Sequence, residues 1–308
     1  MPTSSPRLTT YDSAVAFRHR AEPFLLRHEA ANNLMLGLID TLIATPRHYP
    51  LPPYLATVDD GGEVVAAFMR TPPYNLLLST SEVPAALDLV AAGLAKAGAT
   101  LPGVIGPSRL SRRFGELWQQ RTGLQAGVGL SPRIFALRQV KPVPVTPGRL
   151  RRTTRLDRES IIAWYTAFAV EADLHADRER IVHGADTRLD SEQGGFWFWE
   201  VAGEPVTLAG ATGPTPHGIR IGPVYTPPEH RRHGYATAAT AALSQLMLDA
   251  GRAFCFLYTD RANPTSNHIY QAIGYEAVRD VDDVEFHEEW PDSRGPAPLP
   301  PAQTASIG

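Results

Sequence analysis

Apolar residues recur at three- and four-residue steps between positions 236 and 250, which is the spacing of one face of an α-helix. The run 219–225, rich in β-branched and aromatic residues, precedes this helix and predicts a strand. The continuous apolar run Ala253–Thr259 follows it and is typical of a strand buried on both faces. The pattern therefore predicts strand, helix and strand in succession. The repeating helix positions are Ala236, Ala239, Leu243, Leu246, Met247 and Ala250.

The rest of the second half also shows the hydrophobic spacing of helices and the alternation of strands. Asp157 is predicted to cap a helix, a charged helix follows it, and a last helix begins at Pro264. Alternating runs predict strands at 150–156, 195–201, 205–212, 276–279 and 283–287.

The first half yields a similar series. Two helices are predicted between Tyr11 and Thr45, and Asp60-Gly61-Gly62 is predicted as a hairpin turn. The strands are predicted at 54–58, 63–70, 75–79, 103–106 and 127–139, with helices at 83–97 and 108–121. Both halves give the order strand, two helices, three-strand meander, helix, strand, helix, strand. The architecture is repeated although the sequence is not.

Proline marks the predicted domain boundary. Residues 141–148 carry three prolines and predict a linker between a domain at 1–140 and a domain at 149–290. The Pro/Ala-rich residues 291–308 predict a disordered tail. The fold class expected is α/β, in the sense of an α+β mixed sheet, with two domains in tandem. Each domain is expected to be a mixed, mostly antiparallel twisted sheet flanked by helices.

Charge and composition narrow the functional classes. A net charge of −3 argues against a nucleic-acid partner, and no apolar run is long enough to predict a membrane span. A cytoplasmic protein is therefore expected. Cys255, the single cysteine, lies in an apolar run and predicts a buried structural thiol. Glu229, His230 and His233 lack a fourth ligand in the sequence pattern, so no metal is expected.

A basic loop joins the strand 219–225 to the helix that follows it. Such a loop leaves backbone N–H groups unpaired at the helix N-terminus, where the helix dipole favours an anion. Gly234 permits close approach of a phosphate, and Arg231, Arg232 and His233 add positive charge.

Two motifs in this half resemble the signatures of the GNAT acetyltransferase superfamily. Arg231-Arg232-His233-Gly234-Tyr235-Ala236 resembles the acyl-CoA signature Arg/Gln-x-x-Gly-x-Gly/Ala. Asn263, the small residue Ser266, Tyr270 and then Gly274-Tyr275 resemble the second signature in the right order and spacing. The resemblance implies two GNAT-like domains in tandem. The N-terminal domain is expected to be degenerate, because residues 79–82 lack the arginines and the glycine.

The resemblance also implies roles for individual residues. Acetyl-CoA is expected as the acyl donor, with its pantetheine arm along Val224, Tyr225 and Thr226 and its pyrophosphate on the N–H groups of Arg232 to Thr237. Tyr270 is expected to protonate the departing thiolate. The remaining expected cofactor contacts are Asn263, Ser266 and Asn267.

The general base is not identified by the resemblance. Many family members carry a glutamate near the position of Arg220, and this chain has none there. Glu171, Asp173, Glu200 or a water chain remain as alternatives.

The favoured hypothesis is an acetyl-CoA-dependent N-acetyltransferase, in which a primary amine of a small molecule or peptide attacks the acyl group directly in a ternary complex. The alternative is a non-catalytic acyl-CoA-binding protein with a regulatory or structural role. Either could be a homodimer, and the sequence does not indicate the acceptor.

Overall fold

The alternating and amphipathic runs form two separate α/β units. The computed structural model describes residues 5–46, 49–172, 178–191 and 193–289. The first unit runs through Arg133 and takes up the chain again from Arg279. The second unit runs from Ile134 to Val278. Residues 291–308, predicted as a disordered tail, lie outside the described residues, as does Asp173.

The helices and strands of the first half follow the predicted order. Gly61 and Gly62 both have positive φ, as a tight hairpin turn requires, and they join β2 to β3. The predicted strand 127–139 is instead two strands, β6 and β7. The elements are β1 (Arg7–Thr10), α1 (Ala14–Leu25), α2 (Asn33–Ala44), β2 (Tyr54–Asp60), β3 (Glu63–Arg70), β4 (Leu76–Leu78), α3 (Ala85–Lys96), β5 (Gly103–Pro107), α4 (Ser108–Thr122), β6 (Gln125–Val128) and β7 (Pro132–Leu137).

The second half follows the same order. The strand predicted at 150–156 ends early, because Thr154 caps a 3₁₀ turn with Asp157. The two predicted closing strands form one continuous strand, β13. The elements are β8 (Arg149–Arg152), α5 (Arg158–Glu171), α6 (Arg178–Leu189), β9 (Gly195–Val201), β10 (Glu204–Thr212), β11 (Gly218–Tyr225), α7 (Tyr235–Asp249), β12 (Phe254–Asp260), α8 (Pro264–Ile273) and β13 (Glu276–His287).

Both sheets are mixed, as predicted. In the first unit the strand order is β1-β2-β3-β4-β5-β13, and β6 also pairs with β13. In the second unit the order is β7-β12-β11-β10-β9-β8. The parallel pairs are β4 with β5 and β11 with β12, whereas the neighbouring meander strands are antiparallel.

The closing strands are exchanged between the halves of the sequence. Residues Val281–Glu285 of β13 pair with β5, and Val284–His287 pair with β6, so β13 is an inner strand of the first sheet. Conversely, Phe135 and Leu137 of β7 lie in the core of the second unit. The division predicted at 141–148, with the closing strands in the second domain, differs from this arrangement. The apolar pattern of β13 predicts a strand, but it does not identify the sheet that the strand joins.

The aromatic run of β9 shows how the second unit buries both faces of its sheet. Phe196 and Phe198 face α5 and α6 and pack in one apolar cluster with Ile161. Trp197 and Trp199 point to the opposite face and pack in the cluster that contains α7. Since side chains alternate along a strand, one run of four aromatic residues contributes to both cores.

Candidate active site

A gap between two parallel strands defines the candidate site of the second unit. β11 pairs with β12 only from Gly218 to Arg220, although the strands continue to Tyr225 and Asp260. The irregularity that bends β11 lies at Gly222-Pro223, which together face the single residue Gly210 of β10. The strands therefore separate toward their carboxyl ends, where open α/β sheets bind ligands.

The loop after β11 presents six consecutive backbone N–H groups. Arg232 has φ 67° and Gly234 has φ 81°, so the backbone turns twice through the left-handed region before α7 begins. The first bond of the helix runs from Ala238 N to Gly234 O, at 3.0 Å. The amides of residues 232–237 donate to no acceptor within the described part of the chain. Such a run of amides at a helix N-terminus is a site for a phosphate group.

Arg231 holds the loop in place. Its Nε donates to the carbonyl oxygen of Thr226 at 2.9 Å, and its Nη2 donates to both carboxylate oxygens of Glu171 at 2.6 and 2.8 Å. These bonds to Glu171 raise the pKa of the Arg231 guanidinium. The sequence predicted Arg231 as a phosphate ligand, whereas its side chain connects the loop to the end of β11 and to α5. His233 stacks on Tyr235 at 5.3 Å between ring centroids.

The second predicted motif begins where β12 ends. Asn263 caps α8 by accepting a hydrogen bond from Ser266 N at 3.0 Å, and the helix begins at Pro264, as predicted. Asn267 donates from Nδ2 to the carbonyl oxygens of Asp260 and Arg261, at 3.2 and 3.3 Å. The two motifs therefore follow the two strands that separate. Contacts of Asn263, Ser266 and Asn267 with a cofactor remain a prediction.

Tyr270 lies on α8, half-buried against Tyr275. The two rings meet edge to face, with their centroids 5.9 Å apart. Burial raises the pKa of the Tyr270 phenol to about 12. Within the described residues its hydroxyl has no hydrogen-bond partner. A phenol with this pKa keeps its proton near neutral pH, so it can act as a proton donor but not as a base.

Of the three carboxylates predicted as substitute bases, the two within the described residues, Glu171 and Glu200, are both engaged by arginine. Glu171 is paired with Arg231. Glu200 is buried, accepts a hydrogen bond from Arg151 Nε and lies 3.5 Å from Arg149 Nη2. Asp157 binds the same Arg151 guanidinium at 2.8 Å. Neither carboxylate is thus placed as an unpaired base, and the role of either one remains a prediction.

The equivalent region of the first unit is built differently. Leu76 and Leu77 pair in parallel with Val104 and Ile105, and the next residues, Leu78 and Gly106, stay in contact. A Cβ at Gly106 would lie 2.7 Å from the Leu78 Cβ. The first amides after β4 are also satisfied, because Ser79 N donates to Ala67 O and Thr80 N donates to Asn32 Oδ1. These contacts leave no strand separation at this point, and the degenerate character of this domain remains a prediction.

The sequence predicts no functional role for two arginines of the second unit, Arg188 and Arg220. Arg188 lies on the charged helix α6 and is buried in the structure. Arg220 stands near the position where many family members carry a glutamate. The two positions are far apart in sequence, and no local pattern indicates that the fold brings them together.

The predictions for the cysteine, for a metal and for a membrane span each have a counterpart in the described residues. Cys255 is buried, and burial raises the pKa of its thiol to about 12, as expected of a structural thiol. In the ranges that the structure describes, no three His, Cys, Asp or Glu side chains are grouped as a metal site would require. None of the described helices has the length and apolar character needed to cross a bilayer.

Comparison with known proteins agrees with the two motifs. Residues 158–275 match the sequence model described as the acetyltransferase (GNAT) family. No curated protein matches the chain.

The fold is similar to that of solved structures at low sequence identity. A GCN5-related N-acetyltransferase from Sphaerobacter thermophilus has a TM-score of 0.58 and 15% identity, over 91% of this chain and 95% of that chain. A GNAT-family acetyltransferase from Colwellia psychrerythraea has a TM-score of 0.54 and 9% identity, over 91% and 98% of the two chains. A tandem GNAT protein from the clavulanic acid biosynthesis pathway has a TM-score of 0.51 and 13% identity, over 93% and 100%.

Proposed function

We propose that the second unit, whose residues 158–275 match the acetyltransferase (GNAT) family model, transfers the acyl group of acetyl-CoA to a primary amine. The observation that carries this proposal is the run of six amides, residues 232–237, at the open end of the gap between β11 and β12. These amides fit a pyrophosphate, and the adjoining strand edge fits an extended pantetheine chain.

The residues divide the binding of the donor between them. The pairing of β11 with β12 ends before Val224 and Tyr225, the last residues of β11, and Thr226 follows them. A pantetheine arm pairs with this edge as an added strand does. The amides of residues 232–237 bind the pyrophosphate. The Arg231–Glu171 ion pair holds the loop that presents these amides.

The chemistry needs no covalent enzyme intermediate. The lone pair of the amine nitrogen attacks the carbonyl carbon of the thioester, a C–N bond forms, and the C–S bond breaks. Tyr270 gives its phenolic proton to the departing thiolate, and the ammonium proton of the attacking nitrogen leaves through a base or water. Most of the rate acceleration comes from holding the two reactants together.

A second function is favoured by one observation. Glu171 and Glu200 are both paired with arginines, so neither is placed as an unpaired base. This favours a protein that binds acyl-CoA without turnover as the second candidate. Release of free thiol from acetyl-CoA in the presence of amines separates the two. Binding without thiol release for any amine would favour the non-catalytic protein.

The test of the cofactor site is titration calorimetry with acetyl-CoA and with CoA. Gly234→Asp puts a carboxylate at the proposed pyrophosphate site, and we expect it to weaken binding at least about ten-fold. Gly251→Asp is the matched control, because Gly251 also has positive φ, 94°, but lies after the opposite end of α7. Equal loss in both variants, or no binding by the parent protein, would remove the proposed function.

A further inference from the structure

The segment predicted as a linker is bound along the second unit. Residues 139–148, which include that segment and which we call the strap, are fixed at both ends. Near the start of the strap, Lys141 N donates to the carbonyl oxygen of Ile273 at 2.8 Å. Near its end, the carbonyl oxygen of Pro147 accepts a hydrogen bond from Trp199 Nε1 at 2.9 Å. The residues between these two bonds are therefore held against the unit.

The strap touches the glycines of both sequence motifs. A Cβ at Gly274 would lie 2.9 Å from the carbonyl oxygen of Gln139 and 3.2 Å from Lys141 Cγ. A Cβ at Gly234 would lie 3.2 Å from Thr146 Oγ1 and 3.9 Å from Thr146 Cγ2. The strap thus packs against the residue that follows α8 and against the residue that precedes α7.

The strap presents Thr146 at a defined position. Pro142, Pro144 and Pro147 fix the backbone angle φ at three of its residues. Val145 is fully exposed, whereas Thr146 is partly buried. Thr146 Oγ1 also donates to the carbonyl oxygen of Pro144 at 3.3 Å, which orients the side chain.

The loop that Thr146 touches needs support from its surroundings. Arg232 is not a glycine, yet it has φ 67°, and such a residue keeps this conformation only where the surrounding structure fixes it. Gly234 has φ 81° without that cost, but a glycine is free to leave the conformation as well. The ion pair of Arg231 holds the start of the loop. The contact of Thr146 with Gly234 restricts its end.

We propose that the strap is part of the site that binds the acyl donor, and that Thr146 is a positioning residue. It holds Gly234, and with it the amides of residues 232–237, in the conformation that receives the pyrophosphate. A loop that is already ordered lowers the cost of binding, because less freedom is lost when the ligand arrives. The proposal rests on the proposed function and adds to it a residue that lies outside both motifs.

The first experiment measures CoA affinity by calorimetry in strap variants of the full chain. Thr146→Gly removes the contact, and we expect binding to weaken about three- to ten-fold, the cost of ordering the loop. Thr146→Val keeps the shape of the side chain and should bind CoA as the parent protein does. Val145→Gly is the matched control, because it loosens the strap backbone at the next residue but removes a side chain that is fully exposed. It should also bind as the parent does.

Dephospho-CoA shows which part of the ligand is affected. It keeps the pyrophosphate and lacks the 3′-phosphate, so Thr146→Gly should weaken its binding by the same factor as for CoA. A loss that is seen with CoA alone would place the effect at the 3′-phosphate and overturn the proposal. A loss in Thr146→Val as large as in Thr146→Gly would do the same, because the hydroxyl and not the packing would then be responsible.

A second experiment tests whether the strap acts as one piece. Trp199→Phe removes the N–H group that binds Pro147, and it should weaken CoA binding in the parent protein but not further in Thr146→Gly. Losses that add in the double variant would show that Trp199 acts independently of Thr146, against the strap. Equal CoA affinity of Thr146→Gly and Val145→Gly would remove this inference alone, whereas a parent protein that does not bind CoA would remove the proposed function together with it.

Discussion

At the scale of single residues, Tyr270 carries the most direct prediction. Tyr270→Phe keeps the ring that packs on Tyr275 and removes only the hydroxyl, which has no hydrogen-bond partner among the described residues. We expect kcat to fall by about 10²-fold or more, the usual contribution of a general acid, with little change in acetyl-CoA affinity or stability. Stopped-flow thiol release and calorimetry measure the two quantities.

Tyr275→Phe is the matched control for this variant. The Tyr275 hydroxyl lies 2.7 Å from Ser244 Oγ in the interior, so its loss leaves a buried hydroxyl without a partner and costs about 1–3 kcal/mol of stability. Turnover well below the melting temperature should be unaffected. If the two variants turn over at the same rate, Tyr270 has no part in proton transfer.

Single residues of the site also show how much of it the sequence could predict. The loop of residues 231–237 was predictable, because a phosphate site of this kind is made by neighbouring amides and one glycine. The direction of the Arg231 side chain was not, since it depends on Glu171, sixty positions earlier in the chain. The same holds for Arg188 and Arg220. Local chemistry can be read from a motif, whereas pairing between distant side chains is decided by packing.

At the scale of elements, β13 contains a carboxyl group whose titration should affect stability. Asp283 is buried, and its Oδ1 accepts a hydrogen bond from Asn75 Nδ2 at 2.7 Å. Burial, followed by the charge of Glu285, raises the pKa of Asp283 to about 7, whereas an aspartate in the unfolded chain ionises near about 4. Stability from this group is therefore complete below pH 4 and is lost as the pH rises through 7.

The prediction is a loss of stability between pH 5 and pH 8 that Asp283→Asn reduces. The whole difference in pKa corresponds to about 4 kcal/mol, of which about 3 kcal/mol is lost between pH 5 and pH 8. Urea unfolding of the parent protein and the variant at the two pH values measures it. Parallel pH profiles for the two proteins would show that Asp283 does not titrate in this range.

The observed bounds of the helices and strands show which sequence patterns predict an element reliably and which do not. Helix α7 and strand β11 agree with the prediction within a residue, because their apolar periods are long and unbroken. The prediction split β13 in two, because Asp280 and Asp282 interrupt the apolar pattern between the two predicted runs. A strand with carboxylates on both faces has no period that identifies it.

At the scale of the whole molecule, the placement of β13 predicts the effect of truncation. A chain that ends at Val278 lacks the strand that lies between β5 and β6, and it lacks Val284 and Phe286 in the core of the first unit. We expect the first unit to unfold, with loss of hydrogen-exchange protection in β2 and β3. A chain that ends at Glu289 keeps β13 and should keep this protection. Protected amides in β2 and β3 of the shorter chain would contradict the strand assignment.

The same exchange of strands has a consequence for synthesis. The 145 residues from Ile134 to Val278 are translated between the two parts of the first unit. At about 5–20 residues per second, a ribosome needs on the order of ten seconds for this stretch. During that time β5 and β6 have emerged without the strand that joins them, and their unpaired edges are open to chaperones or to other nascent chains. The half of the protein that is made first is therefore the half that is finished last.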